Sequence, residues 1–249
     1  DVAAAIHFPY LAEPRERILG WAAVSLGVFR ALADDAGSGV RWAQARIVEP
    51  GHDPWWRDLV DHFRDAGPVP DGHAYDCEVP VVAMPKHMGY LEAWARRLGV
   101  DFVQRRLQTL ADVQGADAIV NCSGLGARDL VPDRSMFPIQ GQVVRVQAPL
   151  SRSLLVEVDP PTYAIPRPDG VVVGGTAVVG AQETTPDLDV ERDILERAVR
   201  HEPALANAVV LARAVGLRPG RPSIRLEPDL SGPVPVVHSY GHGGSGVTL

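Results

Sequence analysis

The chain has 249 residues, 46% of them apolar, with 24 Lys and Arg set against 31 Asp and Glu for a net charge of −7. That composition can bury one large core or two lobes, and no stretch approaches the roughly 18 consecutive apolar residues of a membrane span. The acidic balance lacks the basic stripe that attracts a phosphate backbone, so neither nucleic acid nor a membrane is expected as a partner.

Residues 18–34 place Ile18, Trp21, Ala22, Leu26, Phe29 and Leu32 at helical spacing, which predicts a core-facing helix ended by AGSG. A polar, Pro-containing region is expected to follow through residue 70, and then CEVPVVAMP, residues 77–85, reads as a strand entering a loop. HMGYLEAWARRLG predicts a second helix with Tyr90, Leu91, Trp94, Ala95 and Leu98 on one face and Gly99 as its C-terminal stop. VDFVQRRLQTL has the look of a strand, and ADAIVNCSGLGA is an apolar run that ends in a glycine turn, the way α/β sheets bring backbone to a ligand. From QGQVVRVQAPL to YAIPRPDGVVVGGT, β-branched runs punctuated by Pro and Gly predict a sheet with exposed turns. Residues 188–201 predict a third helix with Val190, Ile194, Leu195, Ala198 and Val199 inward. Alternation of parallel-type and antiparallel-type segments suggests two discontinuous lobes.

Cys77 and Cys122 belong to no CxxC pair or Cys/His cluster and are expected to be reduced core thiols of a cytosolic protein. Residues 1–10 lack the basic start and apolar stretch of a secretory signal.

The segment VGLRPGRPSIRLEP offers Arg218, Arg221 and Arg225 from proline-stiffened backbone. A guanidinium fork suits a carboxylate ligand; ion pairing at a surface or between lobes is the alternative for each arginine. Tyr163 in PPTYAIP also sits on stiff backbone, with core packing as its alternative role. His242 lies in GHGGSG, four glycines in six residues, where it is either a ligand contact or a loop residue. No HExxH, Cys/His set or acidic cluster suggests a metal, and no Gly-x-Ser-x-Gly elbow supports acyl transfer, Ser123 and Ser245 lacking a His and Asp in order.

In this order and spacing, DVAAAIHFPY, AIVNCSGLGA, GQVVRVQAP, YAIP, VGLRPGRPSIRLE and YGHGGSGVTL resemble the D-amino acid oxidase family of flavoproteins over essentially the whole chain. The resemblance implies an α/β protein in which a Rossmann-like FAD-binding lobe, here incomplete and lacking its first βαβ unit, interleaves with an α+β substrate-binding lobe on a mixed, largely antiparallel sheet. Residues 1–12, 86–134 and 217–249 would form the first lobe and residues 13–85 and 135–216 the second. The implied activity is FAD-dependent oxidative deamination of D-amino acids, neutral or apolar ones preferred, to a 2-oxo acid, ammonia and hydrogen peroxide, with O2 as the second substrate. D-aspartate oxidase, glycine oxidase and a flavin-free, non-catalytic remnant are the alternatives.

By the same resemblance Arg218 would grip the substrate carboxylate, Tyr163 would add its hydroxyl, and the Gly244 carbonyl would accept from the substrate amine, aiming the Cα hydrogen at flavin N5. Phe8, Tyr10 and Arg167 would line the substrate pocket, Phe8 favouring uncharged side chains and Arg167 leaving room for an acidic one. His242, Gly243, Gly244, Ser245, Gly246, Val247 and Thr248 would line the flavin, Leu107 would meet the adenine, and Ser123 with Gly124 would lie beneath the phosphate and ribitol. The cofactor takes the hydride, so no acid–base dyad is needed. The family's GxGxxG turn and C-terminal helix are not in this sequence, so the chain is expected to be an excerpt that binds FAD poorly by itself. The lid loop is shortened to VDPPT, which implies a more open pocket. The resemblance leaves room for a homodimer and for a cytoplasmic location in a bacterium or a peroxisomal one in a eukaryote.

Overall fold

The computed structural model describes residues 5–8 and 13–244. Helix α1 (Arg15–Ala33) buries Ile18, Ala22, Ser25, Leu26, Phe29 and Leu32, the expected stripe, with Trp21 only partly covered. Strands β1 (Val40–Glu49), β2 (Asp61–Val69) and β3 (Gly72–Val82) follow, then helix α2 (Met84–Arg97), β4 (Ile119–Asn121) and the short α3 (Ala127–Leu130). Next come β5 (Phe137–Gln147), β6 (Ser153–Val156), β7 (Thr162–Arg167), β8 (Gly170–Gly174), β9 (Val178–Val179) and α4 (Leu188–His201). The described chain closes with β10 (Val209–Gly220), β11 (Arg225–Asp229) and β12 (Val236–Tyr240).

One nine-stranded sheet runs in the order β10-β5-β8-β7-β6-β1-β3-β2, with β9 pairing β5, and it is antiparallel except where β1 meets β6. A separate three-stranded sheet, β11-β12-β4, is antiparallel at β11–β12 and parallel at β12–β4. The architecture is therefore mixed α/β with a largely antiparallel main sheet.

The period-2 alternation of strand side chains divides the main sheet into two faces. Val48, Val144, Val146, Leu154, Val156, Ala164, Val171 and Val173 point to one side and pack against Ile194 and Ala198 of α4. Ala45, Ile47, Tyr75, Cys77, Val79 and Leu155 point to the other, beneath Phe8 and Trp56. Helix α4 is capped by the Asp187 carboxylate, which accepts from the backbone N–H of Asp189 at 2.8 Å and of Val190 at 3.4 Å. No helix of the described residues is long and apolar enough to cross a membrane.

Several sequence expectations need correction. The polar region up to residue 70 holds two strands, β1 and β2, because VRWAQARIVE alternates buried with more open positions along most of its length even though Arg41, Gln44, Arg46 and Glu49 are polar. The strand at 77–85 begins at Gly72 and leads into α2 without a loop. Residues 101–107 form no strand: Phe102 is 53% and Val103 78% exposed, and no described neighbour satisfies the backbone groups that a ladder would pair. The apolar face of α2 is only partly covered: Tyr90 packs against Phe29, Leu32, Val40 and Val82, whereas Trp94 and Leu98 are exposed and His87 is the helix's buried residue. Cys77 is buried, its thiol pushed up to about 12 by burial, whereas Cys122 is exposed; both are free.

Candidate functional site

The sheet face opposite α4 forms the floor of a cavity of about 690 Å³. Arg218, Tyr163, Phe8, His242, Gly243 and Gly244 all line it, so the residues singled out as catalytic meet in one place.

Arg218 stands near the end of β10, opposite Ile139 of β5, on a strand rather than on a proline turn. Its guanidinium lies over Gly141 so closely that an added Cβ there would overlap it. Nη1 donates to the Thr176 carbonyl at 2.9 Å, and no described carboxylate pairs with it. The other two arginines of the segment are committed to structure. Arg221 Nε donates to Asp133 at 3.0 Å and Nη1 to the Ser223 carbonyl at 2.7 Å. Arg225 donates to the Tyr240 hydroxyl at 2.6 Å and to Glu227 at 2.8 Å. Burial works to raise Asp133, yet bonds from Ser135, Tyr240 and Arg221 outweigh it and hold the carboxyl at about 2.

Tyr163 on β7 pairs with Leu155 of β6 and Gly174 of β8, and its ring occupies the space that a side chain at Gly174 or Gly175 would need. Burial raises its phenol above the usual value, and the guanidinium of Arg218, a charge and hydrogen-bond partner, offsets part of the rise. Behind the sheet Arg197 of α4, only 6% exposed, donates to the carbonyls of Pro161 at 2.8 Å and Gly175 at 2.9 Å and to the Thr162 hydroxyl at 2.6 Å. The backbone on both sides of Tyr163 is thereby fixed.

The glycine loop reaches the same place from β12. Gly243 N–H donates to the Pro219 carbonyl at 2.8 Å, and a Cβ on Gly244 would stand 3.3 Å from Arg218 Cδ, closer than ordinary packing, so a side chain there would press on the arginine. Phe8 is 2% exposed and meets Trp56 edge-on at 5.0 Å. Tyr10, Ser245, Gly246, Val247 and Thr248 lie outside the described residues.

Other expected residues stand apart. Arg167 does not line the cavity; its Nε and Nη2 hold Asp169 at 3.0 and 2.8 Å, and this pair, joined by Arg145, keeps the Asp169 carboxyl at about 2. Leu107 is half-buried, next to the turn in which Asp112 accepts from the N–H of Gln108 and Thr109. Ser123 and Gly124 lie at the end of β4, Gly124 with φ +56° and facing Pro219.

Sequence reasoning missed Gly141, Gly174, Arg197 and Glu157, the last also in the cavity wall. A glycine inside a strand signals close approach of another group, so IQGQVV and VVVGGT carried a readable hint. Glu157, in LLVEV, stands in the inward phase of its strand, where a charge is out of pattern.

The family model described as DAO, FAD dependent oxidoreductase, matches residues 3–249. A D-amino-acid oxidase of Rubrobacter xylanophilus is 45% identical over 261 residues, covering 100% of this chain and 80% of the relative. A D-aspartate oxidase of Homo sapiens is 35% identical over 212 residues, covering 79% of this chain and 61% of the relative. Among solved structures, glycine oxidase from Geobacillus kaustophilus shares the fold with a TM-score of 0.73 at 17% identity, covering 99% of this chain and 78% of that one. The chain belongs to the DAO family of FAD-dependent oxidoreductases.

Proposed function

We propose that the protein oxidatively deaminates D-amino acids with FAD as cofactor and O2 as second substrate. The observation that carries this reading is Arg218, a guanidinium with no described carboxylate partner, set against the Tyr163 phenol and the Gly244 backbone on one cavity floor.

The residues present fit a flavin. Gly241 and Gly243 hold φ of +80° and +58°, so the loop meets the cavity as backbone rather than as side chains, apart from His242. At the end of β4 the Ser123 hydroxyl is buried without a hydrogen-bond partner beside Gly124, a donor suited to a cofactor's ribitol or phosphate. His242, Gly243 and Gly244 would hold the ring system, and the undescribed 245–248 segment is assigned with them. Leu107 is retained as a candidate adenine neighbour. Bound FAD would supply the two-electron acceptor for the hydride of the substrate Cα, with O2 and two protons as the route by which that electron pair ends in hydrogen peroxide.

The chain's own residues bind and orient. Arg218 neutralises the carboxylate and Tyr163 donates its hydroxyl to the same group, a role favoured by a phenol held protonated through burial. The Gly244 carbonyl accepts from the amine. Phe8 gives the wall that receives the side chain, and the imino acid that leaves is hydrolysed by water to a 2-oxo acid and ammonia. Arg167 adds no cation to this pocket, since Asp169 holds it, and Arg221 is held by Asp133. That favours D-amino acid oxidation over D-aspartate oxidation, although a D-aspartate oxidase is among the relatives.

We assign residues 1–12, 86–134 and 217–249 to a cofactor lobe and 13–85 with 135–216 to a substrate lobe, a division supported by the two separate sheets, with the boundary at 217 falling inside β10 beside Arg218. Two free thiols suit a reducing bacterial cytoplasm, which fractionation would test.

Peroxide release from the FAD-loaded enzyme with a panel of D-amino acids tests the reading. Arg218→Leu should raise KM by roughly 10 to 100-fold, the scale of one charge-assisted pair. An unchanged KM removes Arg218 from the site.

A further inference from the structure

The cavity holds one acidic feature that carboxylate binding leaves unused. Leu154 and Val156 of β6 face α4, so Leu155 and Glu157 face the cavity. Leu155 pairs directly with Tyr163, which makes Glu157 the diagonal neighbour of Tyr163 on the same face. The parallel register of β1 with β6 (Val48 beside Val156) continues through a bond from Glu157 N–H to the Val48 carbonyl at 2.8 Å, which sets Glu49 next to Glu157.

Neither carboxyl forms an ion pair among the described residues. Glu49 is 7% exposed; its Oε2 accepts from Trp56 Nε1 at 3.0 Å, while its Oε1 is buried without a partner. Oε1 of Glu157 is also buried without a partner, at the wall of the cavity. Two adjacent buried carboxyls are costly to ionise unless a cation joins them. In keeping with that, burial, with Glu49 adding to it, pushes the Glu157 carboxyl up to about 7.

We propose that Glu157, backed by Glu49, is the subsite for a cationic substrate tail, so that D-amino acids ending in an ammonium or guanidinium, D-lysine foremost, are substrates alongside those with neutral side chains. The alkyl stem would cross Leu155 and Phe8 while the charged end meets the carboxyls. This deepens the oxidase reading and rests on it.

The test compares D-lysine with D-norleucine, a neutral amino acid of similar chain length, in the FAD-loaded enzyme. Glu157→Gln should lower the ratio of kcat/KM for D-lysine over D-norleucine at least tenfold, and Glu49→Gln, which keeps an acceptor for Trp56, should lower it less. A ratio unchanged in both variants overturns the proposal. Calorimetry of the same holoenzyme with 5-aminopentanoate and pentanoate decides the subsite without turnover: the wild type should bind the first at least tenfold more tightly and Glu157→Gln should erase the difference. Equal affinity, or no binding of either, overturns the subsite. If neither amino acid is oxidised, the oxidase reading falls and calorimetry alone judges the subsite.

Discussion

Three arginines lie within residues 218–225, and their partners separate them: Arg221 and Arg225 tie down Asp133, Glu227 and Tyr240, and Arg218 is left facing the cavity. Its position depends on the absence of a side chain beneath it. Gly141→Ala would put a methyl where the guanidinium lies, and because that end of the arginine is flexible, the side chain should move while the fold stays. KM for a D-amino acid should rise about tenfold with little change in melting temperature; an unaltered KM would mean that Arg218 does not need this seat. Glu157 gives a pH prediction. A carboxyl raised from 4.5 to about 7 in the folded state binds its proton more tightly there than in the unfolded chain. Its contribution to stability is therefore complete below the unfolded value and is lost as pH rises through the folded one, a loss of about 3 kcal/mol at most. Melting temperatures between pH 5 and 8 should fall less steeply in Glu157→Gln than in the wild type, and parallel profiles would contradict the assignment. The meeting of Arg218 and Tyr163 in one cavity was foreshadowed by motifs, and the roles proposed for them rest on those motifs; Glu157 belongs to none, because its significance lies in a neighbour more than a hundred residues away, Glu49.

At the scale of elements, α4 stabilises the site from behind. Arg197 leaves the helix for three acceptors around Tyr163, and Arg197→Met would strand buried carbonyls at Pro161 and Gly175. The variant should be about 3 kcal/mol less stable in urea unfolding and should bind substrate more weakly as Tyr163 loosens. Unchanged stability would show that water replaces the guanidinium. Helices α1 and α4 were readable because a 3.6-residue stripe needs only a nearby sheet to cover it, as Ile18, Phe29 and Ile194 illustrate. β1 and β2 were hidden because Arg41, Gln44, Arg46 and Asp61 look like loop chemistry until they alternate with buried neighbours. The converse held at residues 101–107 and on much of α2, where Phe102, Val103, Trp94 and Leu98 have strand-like or helical pattern but stay exposed among the described residues. Periodicity reports what a segment can bury, and its burial depends on the rest of the fold.

At the scale of the whole molecule, the chain leaves the main sheet after β3, passes through α2 and β4, returns for β5 to β10, and departs again into β11 and β12. This interleaving was expected from the alternation of segment types, and it is what brings residue 163, residue 218 and residue 244 together. The Gly243–Pro219 bond closes the link between the two sheets at the cavity. On the binding proposed above, with the carboxylate at Arg218 and Tyr163, the amine at Gly244 and the side chain on the apolar wall, only one direction remains for the Cα hydrogen, and handedness follows from that closure. The most direct test is anaerobic mixing of the FAD-loaded enzyme with the two enantiomers of methionine, read as loss of the flavin absorbance band. D-methionine should bleach the band and L-methionine should leave it intact over the same period; bleaching by both at similar rates would contradict the three-point account.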